Sequence, residues 1–536
     1  MVNLIWSDIK VPVGQDEALL PHILAKQLKV SIESIKNWRI VKRSIDARKK
    51  PDIFYVYSLE FSLDIPPRQL GRILVRFPQL KEKPQLKKYV ILSKPEKKLV
   101  TRPVVVGTGP AGYFAALALA EKGYRPLVLE RGDKVEERCK RLECFWQSGD
   151  LDPESNVQFG EGGAGTFSDG KLTTRIDDYR IRKVLEKFVE FGADPKILFV
   201  AKPHIGTDVL RIVVSGLRKR IEFLGGEILF RAKVTGLKTA NGCLEAVEIN
   251  HHDSIAAETV IMAVGHSARD VYEFLKMIGV TLEPKPFAVG LRVEHKQETI
   301  NLAQYGVLDH PSLGPADYQL IYKDISTGRG AYSFCMCPGG LVVASSSEEG
   351  GVVTNGMSNN ARGSGIANSA IVVSVSKNDF ASADCLAGVS FQREWERKAF
   401  IAGGKNYHVP AQGVTGFLAG QVTGDFGLRP SYRPGYRPAD LYGILPQEIG
   451  NVLKRAIVFF DGKIQGFAGK EATLTGIESR TSAPVRILRD DSGQSVNLRG
   501  LFPAGEGAGY AGGITSSAVD GLKTAEKLTM LYAPVE

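Results

Sequence analysis

Residues 104–132 read VVVGTGPAGYFAALALAEKGYRPLVLERG, and no other stretch constrains the fold as tightly. An apolar run, Val104 to Val106, leads directly into Gly107-x-Gly109-x-x-Gly112. A helical pattern follows, then a second apolar strand, Pro126 to Leu129, which ends in Glu130. Each part has a physical task. Gly107 allows a tight turn, Gly109 lets the backbone approach a pyrophosphate, and Gly112 lets the helix lie close on the strand. Pro110 and Ala111 open the helix, whose N-terminus offers N–H groups and a partial positive charge to phosphates. Glu130 lies 23 residues after Gly107, where a carboxylate can accept hydrogen bonds from a ribose diol. The unit predicts a dinucleotide-binding βαβ domain.

The far end of the chain narrows the dinucleotide. Residues 501–528 read LFPAGEGAGYAGGITSSAVDGLKTAEKL. A short strand ends at Gly505-Glu506, a glycine-rich loop follows, and a helix is predicted from about Ile514. Ile514, Ala518, Leu522 and Ala525 recur at helical spacing, which turns that helix towards a core. Together the two segments resemble the glutathione-reductase superfamily of flavoproteins. That resemblance implies FAD, with the first βαβ unit, including Glu130-Arg131-Gly132, on its ADP half. It assigns the ribityl and phosphate region to Glu506, and the flavin pyrimidine to the backbone of Gly512, Gly513 and Ile514. A helix N-terminus there would stabilise negative charge on reduced flavin. Thr259 to Gly265 resembles the strand by which these proteins return to the FAD domain, placing Ala263 and Gly265 beside the cofactor. The same likeness puts backbone near Val234 on the adenine. Upstream, Leu210 to Phe223 reads as a helix, Gly225-Gly226 ends it, and Glu227 to Leu237 reads as a strand pair.

The fold class predicted is α/β: a Rossmann-type FAD-binding domain, an inserted α+β substrate domain and a small basic N-terminal α/β module. The boundaries expected are 1–95 for the module, 96–285 and 471–536 for the FAD domain, and 286–470 for the insertion. Residues 1–100 hold 20 Lys+Arg against 10 Asp+Glu, and the rest of the chain holds 49 of each. The whole +10 excess therefore sits in the first hundred residues. Glu17 to Leu28 carries apolar residues at helical spacing, and Ile53 to Leu63 alternates as a half-buried strand. Between them lies the basic run Lys42 to Lys50, and Lys81 to Lys98 reads as a basic linker. Within the insertion, Gly340 to Ala344 and Ile371 to Ser376 read as strands, and Arg433 to Pro438 as a rigid turn. There is no second nucleotide-binding βαβ unit like that of Val104 to Glu130, although Gly160 to Gly165 and Gly507 to Gly512 also fit the bare Gly-x-Gly-x-x-Gly spacing. This favours the single-nucleotide branch that includes geranylgeranyl-reductase-like flavoproteins. GGAGTFSDGKL, YSFCMCPGG, ESRTSAPVRI and PAGEGAGYAGGI resemble a group of uncharacterised bacterial FAD-dependent dehydrogenases in that branch. The N-terminus lacks a secretory pattern, no apolar run calls for a membrane span, and six cysteines without a dense framework suit a reducing cytoplasm.

Four constellations are candidates for chemistry. In GEGGAGTFSDGK, residues 160–171, Gly163, Thr166, Ser168, Asp169 and Lys171 belong by resemblance along the flavin or pyrophosphate. Cys335-Met336-Cys337 would put two thiols on one face of a strand, either to react at a flavin or to pack as small buried residues. His266, just past a strand end, is a candidate proton donor or a helix cap. Arg480 and Arg486 could clamp an anionic substrate, or serve as structural arginines. The His spacing suggests no metal site. The expected activity is FAD-dependent oxidation or reduction of a small or medium organic substrate by hydride transfer, with NAD(P)H as a transient donor. The alternatives are an RNA-linked flavoprotein whose basic module holds an anionic partner, and a flavoprotein without net redox chemistry.

Overall fold

The computed structural model describes residues 3–82, 95 and 97–535. Val104–Val106 is a strand, Pro110–Ala120 a helix and Leu127–Leu129 the next strand, as the glycine pattern predicts. They belong to a five-stranded sheet in the order Leu501–Pro503, Val260–Met262, Val104–Val106, Leu127–Leu129, Glu227–Leu229. Every neighbouring pair is parallel. The first four of these strands are wholly buried, because layers cover both faces of the sheet. Helices Pro110–Ala120, Thr207–Phe223 and Ile514–Leu531 pack on one face through Phe114, Val213, Leu217, Ala518 and Leu522. On the other face lie helix Arg269–Met277 and a three-stranded antiparallel sheet, Asp253–Ala256, Cys243–Ile249 and Val234–Ala240. The expected strand pair over Glu227 to Leu237 does not form. Glu227–Leu229 completes the parallel sheet and Val234–Ala240 begins the antiparallel one. Glu227–Leu229 takes its partner from Leu127–Leu129, about a hundred residues earlier, whereas Val234–Ala240 forms a hairpin with the strand that follows it.

The insertion forms a seven-stranded sheet. Its order is Ile321–Lys323, Gly330–Cys337, Ile366–Val375, Phe287–Lys296, Thr473–Glu478, Val409–Gly413, Tyr436–Pro438. All neighbours are antiparallel except the last pair. Thr473–Glu478 pairs with Phe287–Lys296, so this sheet extends past the boundary expected at residue 470. Helix Gln447–Asp461 buries Ile449, Val452, Leu453 and Ile457 against it. Leu282–Pro284 and Val485–Ile487 pair antiparallel where the chain leaves and rejoins the nucleotide-binding domain.

The N-terminal module is a four-stranded antiparallel sheet in the order Ile35–Lys49, Asp52–Leu63, Asn3–Pro12, Leu80–Glu82. Helices Leu20–Leu28 and Pro67–Arg76 add Leu24, Leu28 and Ile73 to its core. The basic run Lys42 to Lys50, expected as a connector, belongs largely to a 15-residue edge strand. Backbone pairing with Asp52–Leu63 is indifferent to side chain, and charges suit an exposed edge. Several of these cations are engaged: Arg43 meets Glu17 at 2.5 Å, Arg48 meets Asp46 at 2.8 Å, and Lys50 donates to the Ala303 carbonyl. Most of the linker expected at Lys81 to Lys98 lies outside the described residues. Among the described residues no helix is long and apolar enough to cross a membrane.

The module is docked on both other units. Arg43 N donates to Phe199 O at 2.7 Å and Ala201 N to Arg43 O at 2.8 Å, while the Tyr55 hydroxyl donates to the Ser312 carbonyl. A chain beginning at Pro95 should therefore still bind the dinucleotide, since the glycine fingerprint lies wholly after that point. Losing these few hydrogen bonds, each contributing about 1 kcal/mol, should lower its melting temperature by a few degrees. Thermal unfolding with and without residues 1–94, together with the absorbance of retained cofactor, checks both halves.

Candidate functional site

The C-terminal ends of the parallel strands open into a cavity of about 370 Å³. This is where ligands bind in open α/β sheets. The cavity is long. One end is lined by Val106, Glu130, Arg131, Lys233 and Val234, and the other by Lys171, Phe334, Cys335, Glu478 and Glu506. Gly107, Gly109, Pro110, Ala111, Gly163, Ser168, Asp169, Ala263, Gly265, His266, Gly512, Gly513 and Ile514 also lie on its wall.

The middle of the cavity is built to approach a phosphate. Gly107 has φ +97°, and a Cβ there would stand 2.5 Å from Ala263 O. At Gly109 the opposite holds: a Cβ would meet only Gly163 Cα, at 3.9 Å, and would otherwise project into the cavity. Gly265, Gly512 and Gly513 likewise have no protein atom within 4 Å of such a Cβ. Helices Pro110–Ala120 and Ile514–Leu531 both begin at this wall, at Gly109 and Gly513. Neither has a side-chain cap hydrogen bond or an acidic residue in its first turn. Two uncapped helix N-termini with no side chains in front of them form a cradle for negative charge. Gly112 serves packing instead, since a Cβ there would collide with the Gly107 carbonyl.

Some predicted residues are committed to other partners. Glu130 is buried, and its carboxylate accepts from Thr108 N and Oγ1, Gly132 N and Gly160 N. A ribose diol reaching it would share those acceptors. Arg131 is forked onto Asp270, with both bonds at 3.0 Å, and it also holds Glu154. Asp169 receives Ser358 and Arg362, and lies 2.9 Å from Lys171 Nζ. Thr166 and Gly505 are not on the cavity wall: the Thr166 carbonyl accepts from Thr207 at 2.6 Å, and Gly505 N donates to Asp520 at 2.7 Å.

Arg480 and Arg486 do not come together as a clamp: Arg480 lines the cavity and Arg486 does not. Arg480 donates to Glu396 at 3.1 and 2.9 Å and to Ser347 at 2.5 Å. Arg269 holds the same Glu396 from the other side, at 2.7 and 3.0 Å. Burial, which would raise the Glu396 pKa, is outweighed by these two guanidinium groups, so the carboxylate stays ionised. Arg486 faces the Tyr510 ring at 5.3 Å and does not line the cavity. His266 corrects a second expectation. Burial, followed by the charges of Arg480 and Arg269, pushes its pKa down to about 3. At neutral pH it carries no imidazolium proton to donate.

A family model described as "FAD-dependent protein, C-terminal domain-like" matches residues 286–481. One described as "Pyridine nucleotide-disulphide oxidoreductase" matches residues 101–271, and a domain of unknown function matches 4–62. A protein of Clostridium beijerinckii named "Uncharacterized protein" is 47% identical over 527 residues, covering 97% of this chain and 98% of that one. The chain belongs to this family of FAD-dependent proteins. FAD is its cofactor, and it is a flavoprotein of the FAD-dependent oxidoreductase group. A dihydrolipoyl dehydrogenase of Buchnera aphidicola is 43% identical over 49 residues, 9% of this chain and 10% of that one. Among solved structures, a geranylgeranyl bacteriochlorophyll reductase-like protein of Thermoplasma acidophilum aligns at 14% identity. It covers 80% of this chain and 77% of that one, with a TM-score of 0.35.

The residues present fit FAD: an open glycine cradle and two helix N-termini face the path of a pyrophosphate, with Val234 at one end. Sequence reading missed the opposite wall. Phe334, Thr354, Asn355, Glu478 and Thr481 reach it from the seven-stranded sheet and the segments beside it. Behind them Arg292 is fully buried, held by Glu478 at 2.9 and 3.0 Å and by Asn368 at 2.8 Å. Glu478 sits inside the phrase ESRTSAPVRI, but nothing local marks it as a wall residue. At the same end, burial, opposed by Lys285, raises the Glu506 carboxyl to about 7. Among the described residues no group of three or more His, Cys, Asp or Glu could hold a metal ion.

Two outcomes follow. Gly109→Val should give a folded, colourless protein, because its Cβ has only Gly163 Cα near it, at 3.9 Å, and its side chain occupies the cradle. Circular dichroism and the flavin absorbance after purification check this. Glu396→Gln should destabilise by about 3–5 kcal/mol, since two buried guanidinium groups then share no anion. The depressed pKa of Glu396 means its stabilisation is present above the unfolded carboxyl value, about 4.3, and is lost as pH falls below it. The stability gap between wild type and variant, read from denaturant unfolding, should therefore narrow below that pH.

Proposed function

We propose that this flavoprotein oxidises or reduces a small or medium organic substrate by hydride transfer, and that substrate enters from the side of the seven-stranded sheet. One observation supports this most directly. A second cavity of about 800 Å³ abuts the first, and Phe334 and Thr481 line both. Its other walls are aromatic and hydroxyl-rich, with Phe287, Tyr332, Thr327, Ser374 and Ser482. Bound FAD supplies the two-electron chemistry. The chain supplies the shape and the protons. Thr481 Oγ1 bridges Ala288 N and O at 3.0 and 2.9 Å, which holds the partition in place. Glu506 holds a proton on its carboxyl group near neutral pH and releases it as pH rises past about 7. Lys285 donates to Ser482 at 2.6 Å at the same junction.

Among the described residues there is one parallel sheet of five strands, the one that carries the fingerprint at Gly107 to Gly112. A nicotinamide donor would therefore dock transiently in these same cavities rather than in a domain of its own.

The test uses anaerobic holoprotein and follows the flavin absorbance. NADH or NADPH should bleach it, and a panel of candidate acceptors should restore it. Phe334→Trp should retain the flavin spectrum but slow reoxidation by the active acceptor at least tenfold, through a bulkier partition. An unchanged reoxidation rate in that variant would remove the entry route. Failure of every two-electron donor and acceptor to change the spectrum would remove the hydride reading.

A further inference from the structure

The Cys-Met-Cys segment has a geometry that strand alternation did not predict. Phe334 pairs with Ala370 and Cys337 with Asn368, so three steps on one strand oppose two on the other. This is a β-bulge, a device that re-aims a side chain. Cys335 sits in it with φ +46°. A non-glycine residue in that left-handed region is strained and persists only where its surroundings enforce it. Cys335 lines the cofactor cavity, whereas Cys337 is fully buried behind it. The Cys337 thiol donates to Cys335 O at 3.2 Å, which ties the inner side chain to the backbone of the outer residue.

The surroundings are not those of two small residues filling space. Lys171 Nζ lies 4.0 Å from Cys337 Sγ and donates to the Met336 carbonyl. Its position is set by Asp169, itself held by Arg362. Arg292 Nη1 reaches Cys335 O at 3.4 Å. Room for the inner thiol is made at Gly356, where a Cβ would stand 2.8 Å from Cys337 Sγ. The charged groups facing the pair are thus Lys171 and Arg292, with Asp169, Glu478 and Glu506 around them. Interaction between the two thiols, then the two cations, draws the Cys335 thiol down, and the same interaction pushes Cys337 up. An outer thiol whose ionisation is favoured and an inner thiol held beside it is the arrangement of a reactive pair.

We propose that Cys335 and Cys337 form a second redox centre, a dithiol–disulfide couple that exchanges two electrons with the bound FAD. In the oxidising direction the Sγ–Sγ bond forms while the pair gives up two protons and two electrons. The electrons and one proton reduce FAD to its two-electron form, and the second proton leaves to water. The reverse step consumes reduced FAD and one proton, breaks the Sγ–Sγ bond and restores two thiols. The inference rests on FAD as cofactor and not on the nature of the organic substrate.

The test counts electrons and thiols in the air-oxidised holoprotein. Anaerobic dithionite titration should consume four electrons per FAD in wild type, against two in Cys335→Ser and in Cys337→Ser. Denaturation in excess iodoacetamide should label four of the six cysteines before reduction and all six after it, with the difference mapped to the peptide containing residues 335–337. The thiol count needs no variant and no turnover, so a Ser variant that misfolds leaves it decisive. Six labelled cysteines in the air-oxidised wild type would overturn the proposal. So would four-electron uptake that both Ser variants retain. Either failure leaves the hydride reading standing, because that is judged by acceptor turnover.

Discussion

One buried cluster of charge holds the two halves of this flavoprotein in register. Arg269 opens the helix just past the parallel strand Val260–Met262, Glu396 lies on helix Ala387–Gly403 of the insertion, and Arg480 follows the strand Thr473–Glu478. Arg269 and Glu396 are 1% exposed, and Arg480 is 9% exposed. Gln392 and Ser479 add further hydrogen bonds, and Glu348 reaches Arg269 from the rim. Such a cluster is tolerable only when complete, since one missing partner leaves a desolvated charge. Its geometry therefore fixes where the seven-stranded sheet stands over the cavity. It also explains why Arg480, which reads in sequence as an anion clamp and lines the cavity, is turned onto Glu396 and Ser347.

Within that frame the cavity divides by physical character. Its middle is backbone and glycine, with two helix N-termini and no competing acid in either first turn. This is electrostatics without side chains, suited to a pyrophosphate that must come close. The far end is the reverse. There side chains from the insertion dominate, and several ionisable groups have been moved from their ordinary behaviour. Burial leaves Glu506 half-protonated near neutral pH and keeps His266 neutral. Perturbed groups gathered in a cleft are where chemistry is expected.

The N-terminal module touches this machinery through one strap of chain. Its edge strand pairs with Phe199 and Ala201. A few residues on, Pro203 and Ile205 hydrogen-bond Leu172 and Gly170 on either side of Lys171. The module is therefore in mechanical contact with the loop that carries Lys171, although none of its residues lines the cavity.

The sequence alone determined the nucleotide half of the molecule. Gly107, Gly109, Gly112 and the strands and helix around them act within some thirty residues, through steric rules that hold whatever surrounds them. The same local logic carried Ile514 and its helix, and the strands near Ile371 and Leu341. Only the tertiary structure decided the rest. The bulge at Cys335 depends on pairing with a strand 30 residues later, and the fate of Arg480 depends on a glutamate 84 residues earlier. The basic run Lys42 to Lys50 became an edge strand because of the partner beside it, not because of its own composition. Glu478, Phe334 and Thr481 became walls of the cavity only when a sheet of seven strands, assembled across nearly 200 residues, was laid over the flavin site. Pairing and ion contacts between distant segments leave no periodic trace in either partner, so no reading of one segment could reveal them.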